Sequence, residues 1–373
     1  MEHTKLSQYF PMIRTREQIL LEIRSDPALN ARFESFSDEG RKEFLDICTG
    51  EKGVKILYDS FFRTVMDPKL YPERLKAMLG CILGMEIASF QVLESSSFAL
   101  GDVKSLVILD IVVELRDGSI INLEVQKVGY DFPGERAACY ASDLTLRQYA
   151  RAKREAAEEA SKDTGHIFSY HSIHPVYTIV LIERSPGLFS KFPDQYIHRF
   201  SQKSDTGLSM ELLHNYIFIP LDIFRNKYQN KNISTELDAW LTFLSTDNPD
   251  EIMLLCDAFP SFKDLYKHIY EICRNTEDVM GIFSEALAEL DRNTVDYMID
   301  ELKRKNEQLQ DKYDQSQAEK AQLQNNYDQS QAEKAQLRDE NKQLQDKYDQ
   351  LQNEFDKLKA SLHESGKQRN GQP

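Results

Sequence analysis

The sequence predicts an α/β fold, with a mixed sheet flanked by helices, followed by a C-terminal coiled coil. Two observations predict it. Between residues 90 and 220, short apolar runs typical of strands are separated by one long helical segment, and amphipathic helical segments flank this region. From residue 302 a single heptad register continues to residue 362, which is the pattern of paired helices.

The N-terminal part of the chain is predicted to be helical. Residues 1–52 form a helical segment, in which Asp-Pro and Thr-Gly pairs mark the breaks. A further amphipathic helix is expected over residues 73–88, ahead of a short strand at 90–93. Glu86 falls in the last turn of this helix, where a solvated helix end is one interpretation.

Residues 105–128 are predicted to form a β-hairpin whose turn lies at residues 116–118. A three-residue loop that ends in a left-handed Gly118 places Asp110 across from Glu124. A two-residue loop would shift the register by one residue and move the two carboxylates to opposite faces. The apolar pattern favours the first register, because only this register puts all the polar residues on one side.

The polar face of this hairpin allows two interpretations. Asp110 and Glu114 lie on this face of the first strand, and Asn122, Glu124 and Gln126 lie on it in the second, so two carboxylates, Asp110 and Glu124, would meet across the strands beside the amide of Gln126. If the face is buried, the repulsion and desolvation of the carboxylates are relieved by a divalent cation such as Mg²⁺. If the hairpin belongs to a sheet with one solvated face, no ion is needed.

Two sequence segments resemble a known family. LDIVVELRDGSIINLEVQ at residues 109–126 and ERAACYASDLTLRQ at 135–148 are similar to the PD-(D/E)XK nuclease superfamily. More narrowly, they resemble the bacterial recombination-promoting nuclease and putative transposase family, with its "LD…G…IEMQ" hairpin, "ER-A-YY-S-LY-Q" helix and "PV-I-IL" strand. Matching residues in the helix and the following strand are Glu135, Arg136, Ala137, Tyr140, Ser142, Leu144, Gln148, Pro175 and Val176.

The resemblance covers roughly residues 53–225, which we expect to be a PD-(D/E)XK nuclease-like domain with the restriction-endonuclease-like αβββαβ core. It implies a DNA endonuclease that depends on Mg²⁺ or Mn²⁺ and promotes recombination or DNA mobility. Asp110 and Glu124 would bind the metal, and Gln126 stands where the superfamily usually has lysine. Glu86 is a possible additional acid, because superfamily members sometimes add one from such a helix.

Because Gln126 cannot carry a positive charge, the lysine's role does not transfer directly. An alternative is therefore a catalytically inactive nuclease-fold protein that acts as a coiled-coil interaction or assembly module.

A long helix is expected over residues 134–160, and its arginines are candidate contacts to the DNA backbone. Arg136, Arg147 and Arg151 lie close to one face of this helix, and guanidinium groups suit bidentate phosphate contact. The alternative is an ordinary solvated helix face, since several glutamates follow. Beyond the helix, strands are predicted at residues 176–183, 195–200 and 216–219.

A histidine cluster precedes the first of these strands. His166, His171 and His174 are spaced by five and three residues, without the helical spacing of a metalloprotease pair. A loop before the strand is the better interpretation.

Residues 226–298 are predicted to be helical. We find no catalytic or binding motif in them. They either cover one face of the sheet or connect the nuclease to the tail.

Residues 299–364 are predicted to form a coiled coil with internal repeats. Leucine occupies seven of the nine d positions, and YDQSQAEKAQL occurs at residue 313 and again at 327, two heptads later. Pairing through residues 302–362 predicts a homodimer; a higher oligomer and an unpaired helix are the alternatives. Residues 365–373 are expected to be a disordered tail.

Composition limits the function classes. The formal net charge is −15, so any DNA contact must be a local basic patch. The five cysteines are scattered and show no CxxC pair, which argues against a disulfide framework or a zinc site. No signal peptide or membrane span is evident, and we expect a cytoplasmic protein without membrane contact.

Overall fold

The computed structural model describes residues 4–93, 111–128, 133–160, 168–228 and 233–369. Six helices precede the sheet: α1 (Lys5–Tyr9), α2 (Arg16–Ser25), α3 (Pro27–Glu34), α4 (Asp38–Cys48), α5 (Asp59–Val65) and α6 (Pro72–Leu83). Side-chain capping explains where α2 and α3 begin. Thr15 and Gln18 form a capping box on α2, and Asp26 caps α3, whose first residue is Pro27.

The helix expected over residues 73–88 ends earlier than predicted. Gly84 adopts a left-handed conformation with φ of 72° and terminates α6. Glu86 therefore lies in the exposed segment between α6 and the first strand, and its placement in a last helical turn was wrong. The amphipathic pattern continued beyond the glycine because residues such as Ile87 are buried outside the helix.

A six-stranded mixed sheet forms the centre of the fold. Its strands are β1 (Phe90–Val92), β2 (Ile111–Leu115), β3 (Ile120–Val128), β4 (Val176–Arg184), β5 (His198–Phe200) and β6 (His214–Pro220). They are ordered β1-β2-β3-β4-β6-β5. The β3–β4 and β4–β6 pairs are parallel and the other pairs are antiparallel. With α6 ahead of β1 and α7 (Pro133–Ala160) between β3 and β4, the predicted αβββαβ core is confirmed.

The β2–β3 hairpin has the predicted register in its described residues. Ile111 pairs with Leu123 and Val113 with Ile121. Gly118 closes the turn with φ of 85°, and its N–H donates to the Leu115 carbonyl at 3.0 Å. Asp110, with the rest of residues 94–110, lies outside the described residues.

The two faces of the sheet are covered by different elements. One face, with Ile121, Leu123, Ile179 and Ile219, belongs to a large hydrophobic core that extends from Leu6 to Ala286. This core also contains residues of four later helices: α8 (Leu221–Tyr228), α9 (Glu236–Ser245), α10 (Pro249–Ala258) and α11 (Pro260–Ile272). Residues 226–298 thus pack into the core that also contains one face of the sheet, and their role as a cover of the sheet or as a connection to the tail stays a prediction. The opposite face of the sheet packs against α7.

The chain divides into two compact units, residues 1–297 and 298–373. The finer division of the first unit at residues 52 and 225 stays a prediction. The described residues of the second unit belong to the final helix α12 (Thr276–Arg369), and the seven leucines at its d positions are 58–69% exposed. Within the described part of the chain, no helix has the length and apolar character needed to cross a membrane.

Candidate active site

The polar residues of β3 form a buried layer beneath α7. Asn122, Glu124 and Gln126 are 0%, 2% and 7% exposed. They are covered because Ala137, Tyr140 and other small or aromatic residues of α7 pack on the neighbouring apolar side chains of the same face. The alternative of a solvated sheet face is therefore wrong. A buried carboxylate in such a layer requires compensation by hydrogen bonds or by a cation.

Strand geometry explains why these residues share a face. Successive side chains of a strand point to opposite sides, so Ile121 and Leu123 enter the large core and Asn122 and Glu124 face α7. Asn122 Nδ2 donates to Glu124 Oε1 at 3.0 Å, which fixes one carboxylate oxygen. Within the described structure, Asn122 Oδ1 and Gln126 Oε1 are buried without a hydrogen-bond partner.

Thr178 is a member of this layer that the sequence analysis missed. It lies on β4 directly beside Asn122, it is 0% exposed, and its hydroxyl oxygen has no hydrogen-bond partner among the described residues. The signal was present in the sequence as Thr178, a polar residue near the start of the mostly apolar run VYTIVLIE. Three buried oxygens on this face therefore lack a partner among the described residues: those of Asn122 and the adjacent Thr178, and that of Gln126 four residues along β3. Buried polar atoms of this kind are ordinarily satisfied by a bound water or ion.

The donor set fits a hard divalent cation. Glu124 and Gln126 offer only oxygen ligands with their carboxylate and amide carbonyl groups, and Mg²⁺ and Mn²⁺ prefer oxygen. The described residues include no group of three His, Cys, Asp or Glu side chains that could hold a metal alone. The second carboxylate expected from the sequence is Asp110, which immediately precedes the first described residue of β2.

The arginines of α7 contact acidic and aromatic side chains. Arg151 forms a two-pronged ion pair with Glu114 of β2, in which Nη1 donates to Oε2 at 2.7 Å and Nη2 donates to Oε1. These hydrogen bonds, with the nearby charge of Glu114, raise the pKa of Arg151. Arg147 Nη2 lies 2.7 Å from Asp143 Oδ2. Arg136 Cζ lies 5.1 Å from the centroid of the Tyr140 ring.

Comparison of the sequence with protein-family models identifies the family. The model of the PD-(D/E)XK nuclease family transposase matches residues 59–296. The chain belongs to this family. No match was found among curated proteins or among solved structures. The match confirms the resemblance and extends it beyond residue 225, so the helices α8 to α11 lie within the matched region.

In this member of the family, Gln148 connects α7 to the segment just before β4. Its Nε2 donates to the His174 carbonyl at 3.0 Å, and its Oε1 accepts from the His174 N–H at 2.9 Å. This residue of the "ER-A-YY-S-LY-Q" pattern therefore joins α7 to the start of β4. The predicted loop before β4 is confirmed for His174, His171 lies in a single 3₁₀ turn (Tyr170–Ser172) ahead of it, and His166 lies outside the described residues.

The site residues predicted from sequence are thus only partly described. Glu124 and Gln126 lie together in the buried layer, Glu86 is exposed after α6, and Asp110 is outside the described residues. The roles of Asp110, Glu124 and Gln126 in catalysis, and of Arg136, Arg147 and Arg151 in DNA contact, stay predictions.

Proposed function

We propose that this protein is a metal-dependent DNA endonuclease that hydrolyses phosphodiester bonds and so promotes recombination or DNA mobility. One observation carries the proposal: Glu124 and Gln126 lie buried beneath α7 on the strand whose partner begins at the residue after Asp110. The pairing of Ile111 with Leu123 supports the register on which the two-carboxylate site depends. Membership of a nuclease family supports the reaction class.

Each residue has a distinct role in this proposal. Asp110 and Glu124 hold Mg²⁺ or Mn²⁺, and Asn122 orients the Glu124 carboxylate through its 3.0 Å hydrogen bond. A divalent ion bound there would lower the pKa of a coordinated water and neutralise charge on the scissile phosphate. Gln126 orients water or phosphate through its amide, without supplying positive charge.

The three arginines would hold the DNA backbone. Arg147 forms an ion pair with Asp143, and Arg151 with Glu114. When DNA binds, its phosphate oxygens must therefore replace these carboxylate oxygens or contact the same guanidinium groups beside them. Both groups are anions with oxygen acceptors that fit a guanidinium fork. The ion pairs therefore keep the arginines in place before DNA arrives.

The first test is cleavage. Purified full-length protein with Mg²⁺ is expected to nick supercoiled plasmid DNA, and Glu124→Gln is expected to lower the rate at least about a hundredfold, since it removes a charge at the reacting centre. Asp110→Asn is expected to have the same effect. The measurement is the rate of conversion of supercoiled to open-circular DNA.

Glu39→Gln is the matched control, because Glu39 is an exposed glutamate in the first turn of α4. It is expected to cleave at the wild-type rate. If Glu124→Gln nicks plasmid as fast as this control, the assignment of Glu124 is rejected.

A second candidate function is supported by Gln126 itself, since an uncharged residue stands at the usual lysine position. In this alternative the fold is inactive and the chain assembles through its tail. Metal binding separates the two. In an active site, Mg²⁺ or Mn²⁺ at a hundredfold excess over Kd adds about 2.7 kcal/mol to the free energy of unfolding, and the melting temperature rises.

The Glu124→Gln variant should lose this metal-dependent rise in melting temperature. An equal rise in wild type and variant would place the bound ion elsewhere. No rise in either protein, together with no cleavage, would favour the assembly function.

We further propose that residues 302–362 pair with a second copy of the chain, so that two active sites can reach the two strands of a duplex. The regular heptads and the exposed leucines support this. We expect the protein to act in the cytoplasm, where its scattered, free cysteines are compatible with a reducing environment.

A further inference from the structure

A cavity of about 340 Å³ opens on the α7 side of the sheet. Aromatic side chains from three places form much of its wall: Phe189, Phe200 of β5, and Tyr216 and Phe218 of β6. Gly134, the second residue of α7, lines it from the other side, and His214 contributes a polar group. The cavity is of the size at which proteins bind small organic groups.

The cavity lies on the same face of the sheet as Glu124. Along the sheet, Glu124 pairs with Val180 of β4, and Val180 pairs with Phe218 of β6. Val180, Phe218 and Ala137 of α7 belong to one hydrophobic cluster, which places all of them on the α7 side. Because neighbouring strands lie about 4.8 Å apart, Phe218 is only about 10 Å from Glu124 across the sheet.

The wall chemistry suits a flat aromatic ligand with polar edges. Phe200 is 51% exposed at the cavity, and its ring centroid lies 5.6 Å from that of the buried Phe218. Ser201 and Gln202 provide hydrogen-bonding groups at the wall beside these rings. Aromatic side chains stack on any nucleobase, while polar groups at the rim can meet the edge of the base.

We propose that this cavity takes an unstacked nucleobase of the DNA strand that is bound at Glu124. The inference rests on the proposed nuclease function and narrows its substrate to single-stranded or locally unpaired DNA. A base inside a regular duplex is stacked and paired, so it could enter only after extrusion. A DNA strand rises about 3.4 Å per nucleotide, so one held at Glu124 covers the roughly 10 Å to the cavity within a few nucleotides.

The test measures binding rather than cleavage. A fluorescein-labelled oligothymidylate is titrated with the full-length Glu124→Gln variant, and its anisotropy is compared with that of a duplex of equal length. Tighter binding of the single strand is expected. Adding Phe200→Ala should weaken single-strand binding about tenfold, and Phe200→Tyr, which keeps a ring, should retain it.

Phe192→Ala is the matched control. Phe192 is 54% exposed and is not among the described residues that line the cavity, so this variant should bind as tightly as its parent.

The loss of single-strand affinity caused by Phe200→Ala should be the same at every salt concentration, because stacking releases no counterions. Loss of a phosphate contact would instead reduce the dependence of the binding constant on salt concentration.

Gly134→Leu tests the cavity without damage to the fold. A Cβ added at Gly134 meets no described atom within 4 Å, and leucine is a better helix former than glycine. The variant should keep or raise the melting temperature while its side chain occupies the cavity and weakens single-strand binding.

Photocrosslinking with a 5-iodouracil oligonucleotide identifies the residues that contact the base directly, and crosslinks are expected at Phe200, Tyr216 or Phe218.

Unchanged single-strand affinity in both Phe200→Ala and Gly134→Leu would overturn the proposal, as would crosslinks that map only elsewhere. If plasmid is cleaved but both variants bind the single strand with unchanged affinity, the cavity proposal is rejected and the nuclease function stands. Ring-dependent binding without any cleavage rejects the nuclease alone.

Discussion

Gly118 is the residue on which the hairpin geometry depends. Its φ of 85° is in the left-handed region, and a Cβ there would lie 2.4 Å from Cδ2 of His174. His174 is in turn held through its backbone by Gln148 of α7. One small residue therefore allows the turn of the β2–β3 hairpin to pack against the start of β4, which helps set the position of Glu124 on β3.

Gly118→Ala is expected to lower the free energy of unfolding by about 2 kcal/mol or more, because left-handed strain of about 1–2 kcal/mol adds to the clash with His174. Gly84→Ala is the control. Gly84 has φ of 72°, but a Cβ there meets no described atom within 4 Å, so only the strain should appear. Urea denaturation midpoints measure both, and equal losses would contradict the close contact.

At the scale of elements, α7 serves as both the cover and the anchor of the polar layer. Its small and aromatic residues shield Glu124 from solvent, and Arg151 reaches across to Glu114 on β2. The ion pair joins the helix to the strand that follows Asp110 in sequence. The position of α7 and the position of the first carboxylate are therefore expected to be coupled.

A double-mutant cycle with Glu114→Gln and Arg151→Met should give a coupling energy of about 1 kcal/mol. The estimate is modest because the Arg151 side chain is 37% exposed, whereas that of Glu114 is 15% exposed. Arg154→Met is the control, since Arg154 is exposed on the same helix. A coupling near zero would show that the pair does not hold α7 against β2.

At the scale of the molecule, one hydrophobic core joins the N-terminal helices, one face of the sheet and the later helices. The family match begins at residue 59, but Leu6, Ile19 and Phe44 are buried in the same core. The N-terminal helices should therefore unfold together with the nuclease-like sheet rather than as a separate module.

In the unit of residues 298–373, the exposed heptad leucines predict self-association. Replacing both Leu344 and Leu351 with Asp should convert the dimer to a monomer, because it puts charges into the d positions of the seam. Lys342→Asp is the control, because Lys342 lies at a b position outside that seam. Light scattering after size-exclusion chromatography measures the mass; a wild-type monomer would contradict the dimer.

Much of the αβββαβ core could be predicted, because apolar and polar residues alternate along its strands. This alternation sets the face of the sheet on which each side chain lies. The turn at Gly118 and the pairing of Ile111 with Leu123 followed from that alternation alone. The end of α6 at Gly84 was missed, because apolar residues beyond a helix can be buried by tertiary packing and continue its pattern.

The sequence by itself determined the strand order along the chain, the hairpin register and the family, since these depend on local pattern and on residues close in the chain. Only the tertiary structure decided that the polar face is buried beneath α7, that Thr178 joins it and that Arg151 contacts Glu114. The reason is physical: burial and ion pairing depend on which distant element covers a surface, and alternation along one strand does not encode that choice.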